Sequence, residues 1–156
     1  MRSHSLLHIA VTRGDIKGIE AQAQKGTGLN IQAGDGLTPL HWSMASETTE
    51  SMEKLLELGA DPNAKSFKGA TPLMNAVQSN KIDNVNILLE SGAQVNLRDD
   101  RGFTALHRAS EMGLVDMVKI LLENGADKSI SAEGEHTVLS LATMTKQDEV
   151  IKLLIQ

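Results

Sequence analysis

A chain of 156 residues, 40% of them apolar, is long enough for one core and short for two, so a single domain over 1–156 is expected. Its 20 acidic and 15 basic residues leave a net charge of −5 without long runs of either sign, which argues against nucleic acid as the main partner, because phosphate binding needs a concentrated basic footprint. The absence of cysteine excludes disulfides, thiolate nucleophiles and zinc–thiolate sites. Residues 1–10 lack a basic stretch followed by a long apolar one, and no apolar run approaches spanning length; no leader and no membrane segment are expected, and the cytoplasm is the default location.

Sliding the chain against itself by 33 residues aligns it throughout, giving five units of about 1–32, 33–65, 66–98, 99–131 and 132–156. Their starts are Ser5-Leu6-Leu7-His8, Thr38-Pro39-Leu40-His41, Thr71-Pro72-Leu73-Met74, Thr104-Ala105-Leu106-His107 and Thr137-Val138-Leu139-Ser140. A period of this length marks a repeat architecture. In unit one the first helix starts near Ser5, and the second carries Gln22-Ala23 where later units have a Leu-Leu pair. A polar outer helix suits an N-terminal cap, since nothing stacks outside it.

In unit two, Thr38 is a good N-cap and Pro39 sits at the first helical position, where a missing donor costs nothing. Its second helix ends at Leu55-Leu56, with Gly59 placed to leave the helix in a left-handed conformation. Unit three repeats this with Thr71, Pro72, the stripe Ile82, Val85, Leu88 and Leu89, and Gly92. A polar segment, Asn96 to Gly102, then suits a turn or short hairpin. Unit four carries the stripe Val115, Val118, Leu121 and Leu122, followed by Gly125. Unit five ends inside its second helix with Ile151, Leu154 and Ile155 still apolar, either as an abbreviated cap or as the cut end of something longer. One such helix pair cannot bury its apolar face alone; stacked neighbours can.

Thr-Pro-Leu-His at a 33-residue period, with the Leu-Leu-x-x-Gly-Ala-Asp ending, resembles the ankyrin repeats over nearly the whole chain. The resemblance implies an all-α solenoid of stacked helix-turn-helix units with short β-hairpin or turn fingers. It also implies partner binding in the concave groove between fingers and first helices, with no shared catalytic residues. Family repeats usually close the first helix on glycine, as Gly14 and Gly113 do here, whereas Glu47, Asn80 and Lys146 stand in the other units. Asn tolerates a left-handed conformation, but Glu and Lys should each cost on the order of 1 kcal/mol or force another turn.

No catalytic, cofactor or metal site is expected. His8, His41 and His107 hold one position in different repeats, about 10 Å apart, whereas zinc needs nitrogens at about 2.0–2.1 Å from one ion. By the resemblance they are packing and hydrogen-bonding residues of the helix start. His4 and His136 are expected to be solvated near finger positions. Gly26-Thr27-Gly28 and Gly34-Asp35-Gly36 lack the context of a dinucleotide loop, and Asp99-Asp100-Arg101-Gly102 lacks the ligand pattern of an EF-hand.

The interaction surface is sought where repeat positions vary over a fixed framework. Fingers place Phe67 and Lys68 in unit three, and Asp100, Arg101 and Phe103 in unit four. Phe67 and Phe103 are two of only three aromatics, at positions where solubility alone favours polar residues, and are expected to be exposed anchors. The alternative is that one of them folds back between fingers. On the first helices, Trp42, Asn75 and Arg108 form one row, with Ala45, Gln78 and Glu111 and then Ser46, Ser79 and Met112 beside it. Trp42 either joins the groove or fills a gap between helices; Arg108 is favoured for the groove. The leading expectation is a non-catalytic adaptor that holds a partner protein or peptide through these residues. The chain is then expected to be monomeric, with end-to-end association through unit five as the alternative.

Overall fold

The computed structural model describes residues 4–156. Among them the helices form five pairs: α1 (Leu6–Thr12) and α2 (Ile16–Gln24), α3 (Pro39–Trp42) and α4 (Glu50–Glu57), α5 (Pro72–Gln78) and α6 (Ile82–Glu90), α7 (Ala105–Glu111) and α8 (Val115–Glu123), α9 (Val138–Met144) and α10 (Asp148–Leu154). First helices start where the hydroxyl caps stand. The side chains of Ser5, Thr71, Thr104 and Thr137 each accept the backbone N–H three residues on, satisfying a donor the first turn leaves free.

The pairs pack in series, α1 on α3, α3 on α5, α5 on α7 and α7 on α9, with α2 on α4 and α8 on α10 behind them. Leu7, Leu40, Leu73 and Leu106, one per unit, are essentially fully buried, as are Ile19, Met52, Val85 and Val118 from the second helices. Each such side chain is worth about 1.5–3 kcal/mol on burial. Leu139 occupies the same place in unit five and is 40% exposed, which shows that the following unit supplies the cover in the others. In α2 only Ile19 is buried, as the polar outer helix of an end unit requires.

Polar ties run between units beside this core. His8 Nε2 donates to Leu37 O at 3.0 Å, His41 Nε2 to Ala70 O at 2.9 Å and His107 Nε2 to His136 O at 3.2 Å. On the other ring nitrogen, His41 and His107 accept from the N–H of Thr38 and Thr104. The side chains of Gln32, Lys65 and Arg98 donate to the carbonyls of Lys65, Arg98 and Ser131, each one unit along. Asn63 and Asn96 clasp the next helix end, donating to Gly92 O and Gly125 O and accepting from the N–H of Gln94 and Asp127. The three histidines therefore each tie their unit to the next, the hydrogen-bonding role that the resemblance implies. No group of three potential ligands is gathered for a metal among the described residues.

The fingers are tight turns. Ala33, Ser66, Asp99 and Ala132 donate to the carbonyls of Leu37, Ala70, Phe103 and His136, and the only β pairing among the described residues is an isolated bridge between Ser131 and Thr137. Of the hairpin or turn expected at each finger, the hydrogen-bonded turn is what forms. No helix among the described residues is long and apolar enough to cross a membrane.

The first-helix ends divide as their residue types dictate. Gly14, Gly113, Asn80 and Lys146 are left-handed, with φ of 68°, 69°, 52° and 57°. Unit two avoids that conformation at Glu47. There α3 stops at Trp42, a 3₁₀ turn covers Ser43–Ala45, and Ser46 is extended at φ −72° and ψ 147°. Unit five accepts the strain at Lys146, and again at Glu135, whose φ of 58° replaces the finger glycines Gly36, Gly69 and Gly102.

Two measurements follow from this framework. Lys146→Gly removes the cost of a Cβ in the left-handed region and should stabilise the fold by about 1 kcal/mol, read as a higher urea midpoint. Desolvation holds the imidazoles of His8, His41 and His107 below the ordinary value of 6.5, against the hydrogen bonds to carbonyls that raise it. The unfolded chain then binds more protons than the folded one, so this stabilisation is complete above pH 6.5 and is lost as pH falls through the lower folded values. Urea midpoints should drop between about pH 7.5 and about pH 5.5, and should drop less when the three histidines are replaced by asparagine.

Candidate partner-binding site

Where the fingers of units three and four, named third and fourth after their units, meet α5 and α7, a cleft of about 430 Å³ is lined by Lys68, Ala70, Gln78, Asp99, Asp100, Arg101 and Arg108. Its wall depends on a close approach of the two fingers. The Asp100 N–H donates to Lys68 O at 3.2 Å, and the Asp100 carboxylate lies where a side chain at Gly69 would project. Gly69 also has a φ of +74°, so this position is closed to other residues on two grounds.

Asp99 organises the fourth finger. Its Oδ1 accepts the N–H of Arg101 at 3.0 Å and of Phe103 at 2.9 Å, while its Oδ2 accepts Arg108 Nη2 at 2.7 Å. The side chain of Asp99 is 5% exposed and that of Arg108 29%. A carboxylate held by three donors keeps its guanidinium in one orientation, which lowers the entropy cost of using that guanidinium again. Arg101 pairs instead with Glu133 at 3.0 Å. Both partners are about two-thirds exposed, and such pairs contribute little.

The two phenylalanines part company. Phe67 is 64% exposed and lies over Gly36, where any side chain would strike its ring. Phe103 is only 7% exposed, clustered with Ala132 and Leu141, and its ring meets His107 edge-on at 5.5 Å. The expectation of an exposed anchor at Phe103 is therefore corrected: the side chain folds back and is covered by the fifth unit. Arg101 and Arg108 stand over its ring at 5.1 and 5.6 Å, so Phe103 supports the cleft from beneath through cation–π contact.

Five of the residues expected at a partner surface line the cleft together: Lys68, Gln78, Asp100, Arg101 and Arg108. Phe67, Glu111 and Met112 are exposed outside it, and Asn75 is half-buried. Trp42 is half-buried as well, packed against His4 at 4.5 Å and His8 at 5.3 Å. Its indole N–H is buried without a hydrogen-bond partner among the described residues. Trp42 thus fills the gap between α1 and α3, and His4, exposed as expected, sets its ring at a tilt against the indole.

Two features of the sequence mark the assembly of Asp99, Phe103 and Arg108. Asp99 stands where the other fingers have Ala33, Ser66 and Ala132, and an acid at an otherwise small position implies a partner. Phe103 and Arg108 occupy the places before the N-cap and four residues into the helix, a pair that packs in the hydrophobic staple.

The family model for ankyrin repeats (3 copies) matches the chain over residues 7–99, 61–132 and 95–156. The chain belongs to the ankyrin-repeat family. Comparison with curated proteins returned no match. Ankyrin repeats are generally protein–protein interaction modules and typically non-catalytic, and in this ankyrin-repeat chain the cleft lies in the angle between fingers and first helices.

Arg108→Ala removes the charge partner of a buried carboxylate and should cost roughly 2–3 kcal/mol of stability. In a double-mutant cycle, Asp99→Asn with Arg108→Gln should cost less than the two single changes together by about 1 kcal/mol or more. Additive effects would mean that Asp99 does not hold the guanidinium.

Proposed function

We propose that this chain is an adaptor that holds a partner protein or peptide in the angle between its fingers and first helices. The carrying observation is the cleft between the third and fourth fingers, where Arg108 is held in place by the buried Asp99. Preorganisation of this kind raises affinity without adding contacts. Phe67, exposed on the unit-three finger beside Lys68, is the aromatic anchor, with Lys68, Gln78, Asp100 and Arg101 around the cleft and Asn75, Glu111 and Met112 flanking it along the first helices. No chemistry is assigned to these groups, and no cofactor is called for.

A second reading, end-on stacking through unit five, draws on Leu139 at 40% and Ile155 at 66% exposure. Ser129, Ser131 and Ser140 stand there in place of the asparagines, long donors and histidines that tie earlier units to their successors. A partner on that face would be held by apolar contact without those ties. The groove reading, with a monomeric chain, is preferred.

The test is affinity capture from the source cell, with wild type compared against a Phe67→Ala, Lys68→Ala, Asp99→Asn, Arg108→Gln variant of matched melting temperature. A protein held by wild type should bind the variant at least about tenfold more weakly, a difference of about 1.4 kcal/mol. Equal retention would remove the groove assignment, and association that rises with protein concentration would favour the stacked reading.

A further inference from the structure

We infer that the cleft between the third and fourth fingers takes a single carboxylate side chain, an aspartate or glutamate, from an extended segment of the partner. The inference rests on the groove reading above and adds what the groove recognises.

The donors come first. Among the described residues Arg108 bonds Asp99 through one Nη2 hydrogen alone, which leaves the second Nη2 hydrogen, together with Nε–H or the Nη1 hydrogens of a five-donor fork, for another acceptor. The Asp99 bond and the Phe103 ring together restrict that fork, and a planar guanidinium binds a carboxylate through two parallel bonds. Lys68 is exposed on the opposing finger and forms no ion pair among the described residues. The Gln78 amide adds a neutral donor from α5.

Charge then selects among anions. Arg108 is paired with Asp99 and Arg101 with Glu133, so Lys68 is the one cation of the lining outside an ion pair among the described residues. One carboxylate neutralises it. A phosphoryl group, at about −1.5 to −2, would overshoot and face the Asp100 carboxylate, which is held beside Gly69. Size sets the rest: about 430 Å³ accepts one side chain with its flanking backbone and is too small for a folded element.

The experiment is selection of a random-peptide phage library on the full chain, followed by titration of synthetic peptides. Enriched peptides should share Asp or Glu at one position. Changing that residue to Asn or Gln should weaken binding about tenfold or more. Lys68→Gln, and Arg108→Gln in an Asp99→Asn background, should each abolish the preference for the acid, and phosphoserine at that position should bind no tighter than glutamate. Peptides that lack a fixed acid but are lost on Gln78→Arg would overturn the carboxylate inference and leave the groove reading standing. Tighter binding of phosphoserine would overturn it in favour of a dianion. Peptides indifferent to Lys68, Gln78 and Arg108, or no enrichment at all, would count against both readings.

Discussion

Each helix pair in this chain presents more apolar surface than it can cover, and the next pair covers it. The leucine that follows the first-helix start shows the dependence directly, because it is buried in the four units that have a successor and exposed at Leu139. Everything else in the architecture keeps that contact in register. The histidine, asparagine and long-donor ties bind backbone groups one unit along, so the polar atoms of the turns are satisfied by the same neighbour that buries the leucines. Stability in such a stack is a sum of nearest-neighbour terms, and the end units carry the compromises. Unit one has a polar outer helix, and unit five holds Glu135 and Lys146 in left-handed backbone.

The fourth finger departs from its counterparts through one residue. Asp99 ties the turn by two backbone N–H groups and places a guanidinium on α7, where Ala33, Ser66 and Ala132 can do neither. Its neighbour Phe103 supplies an aromatic face beneath Arg101 and Arg108. A carboxylate, an aromatic ring and two guanidinium groups therefore act as one assembly, built on a turn whose closing backbone hydrogen bond recurs in units two to five. A repeat protein can create a local site in this way without disturbing the frame, because the leucines that hold the units together lie on the helices, outside the finger.

The distribution of charge follows the same division of labour. The buried pair is Asp99 with Arg108; the pairs of Lys54 with Glu20 and Glu57, Lys152 with Glu149, and Arg101 with Glu133 lie nearer solvent, where screening leaves them small. Only the first has the burial and the accompanying hydrogen bonds to fix a side chain in space.

The sequence by itself determined the repeat, the helix starts at Ser5, Thr71, Thr104 and Thr137, and the left-handed turns at Gly59, Gly92 and Gly125. These properties are local or recur at a fixed interval, so propensity, capping and period encode them. It also located the strained first-helix ends, although only the folded chain decided that unit two would escape through a 3₁₀ turn at Ser43–Ala45 while unit five would bear the strain at Lys146. Tertiary structure alone separated Phe67 from Phe103. Both are finger aromatics, but Gly36 lies under one, whereas Ala132 and Leu141 close over the other. It likewise placed Trp42 between α1 and α3 and locked Arg108 to Asp99. Those outcomes depend on what an adjacent unit presents across the contact, and a pattern that repeats along the chain does not carry the identity of the surface it will meet.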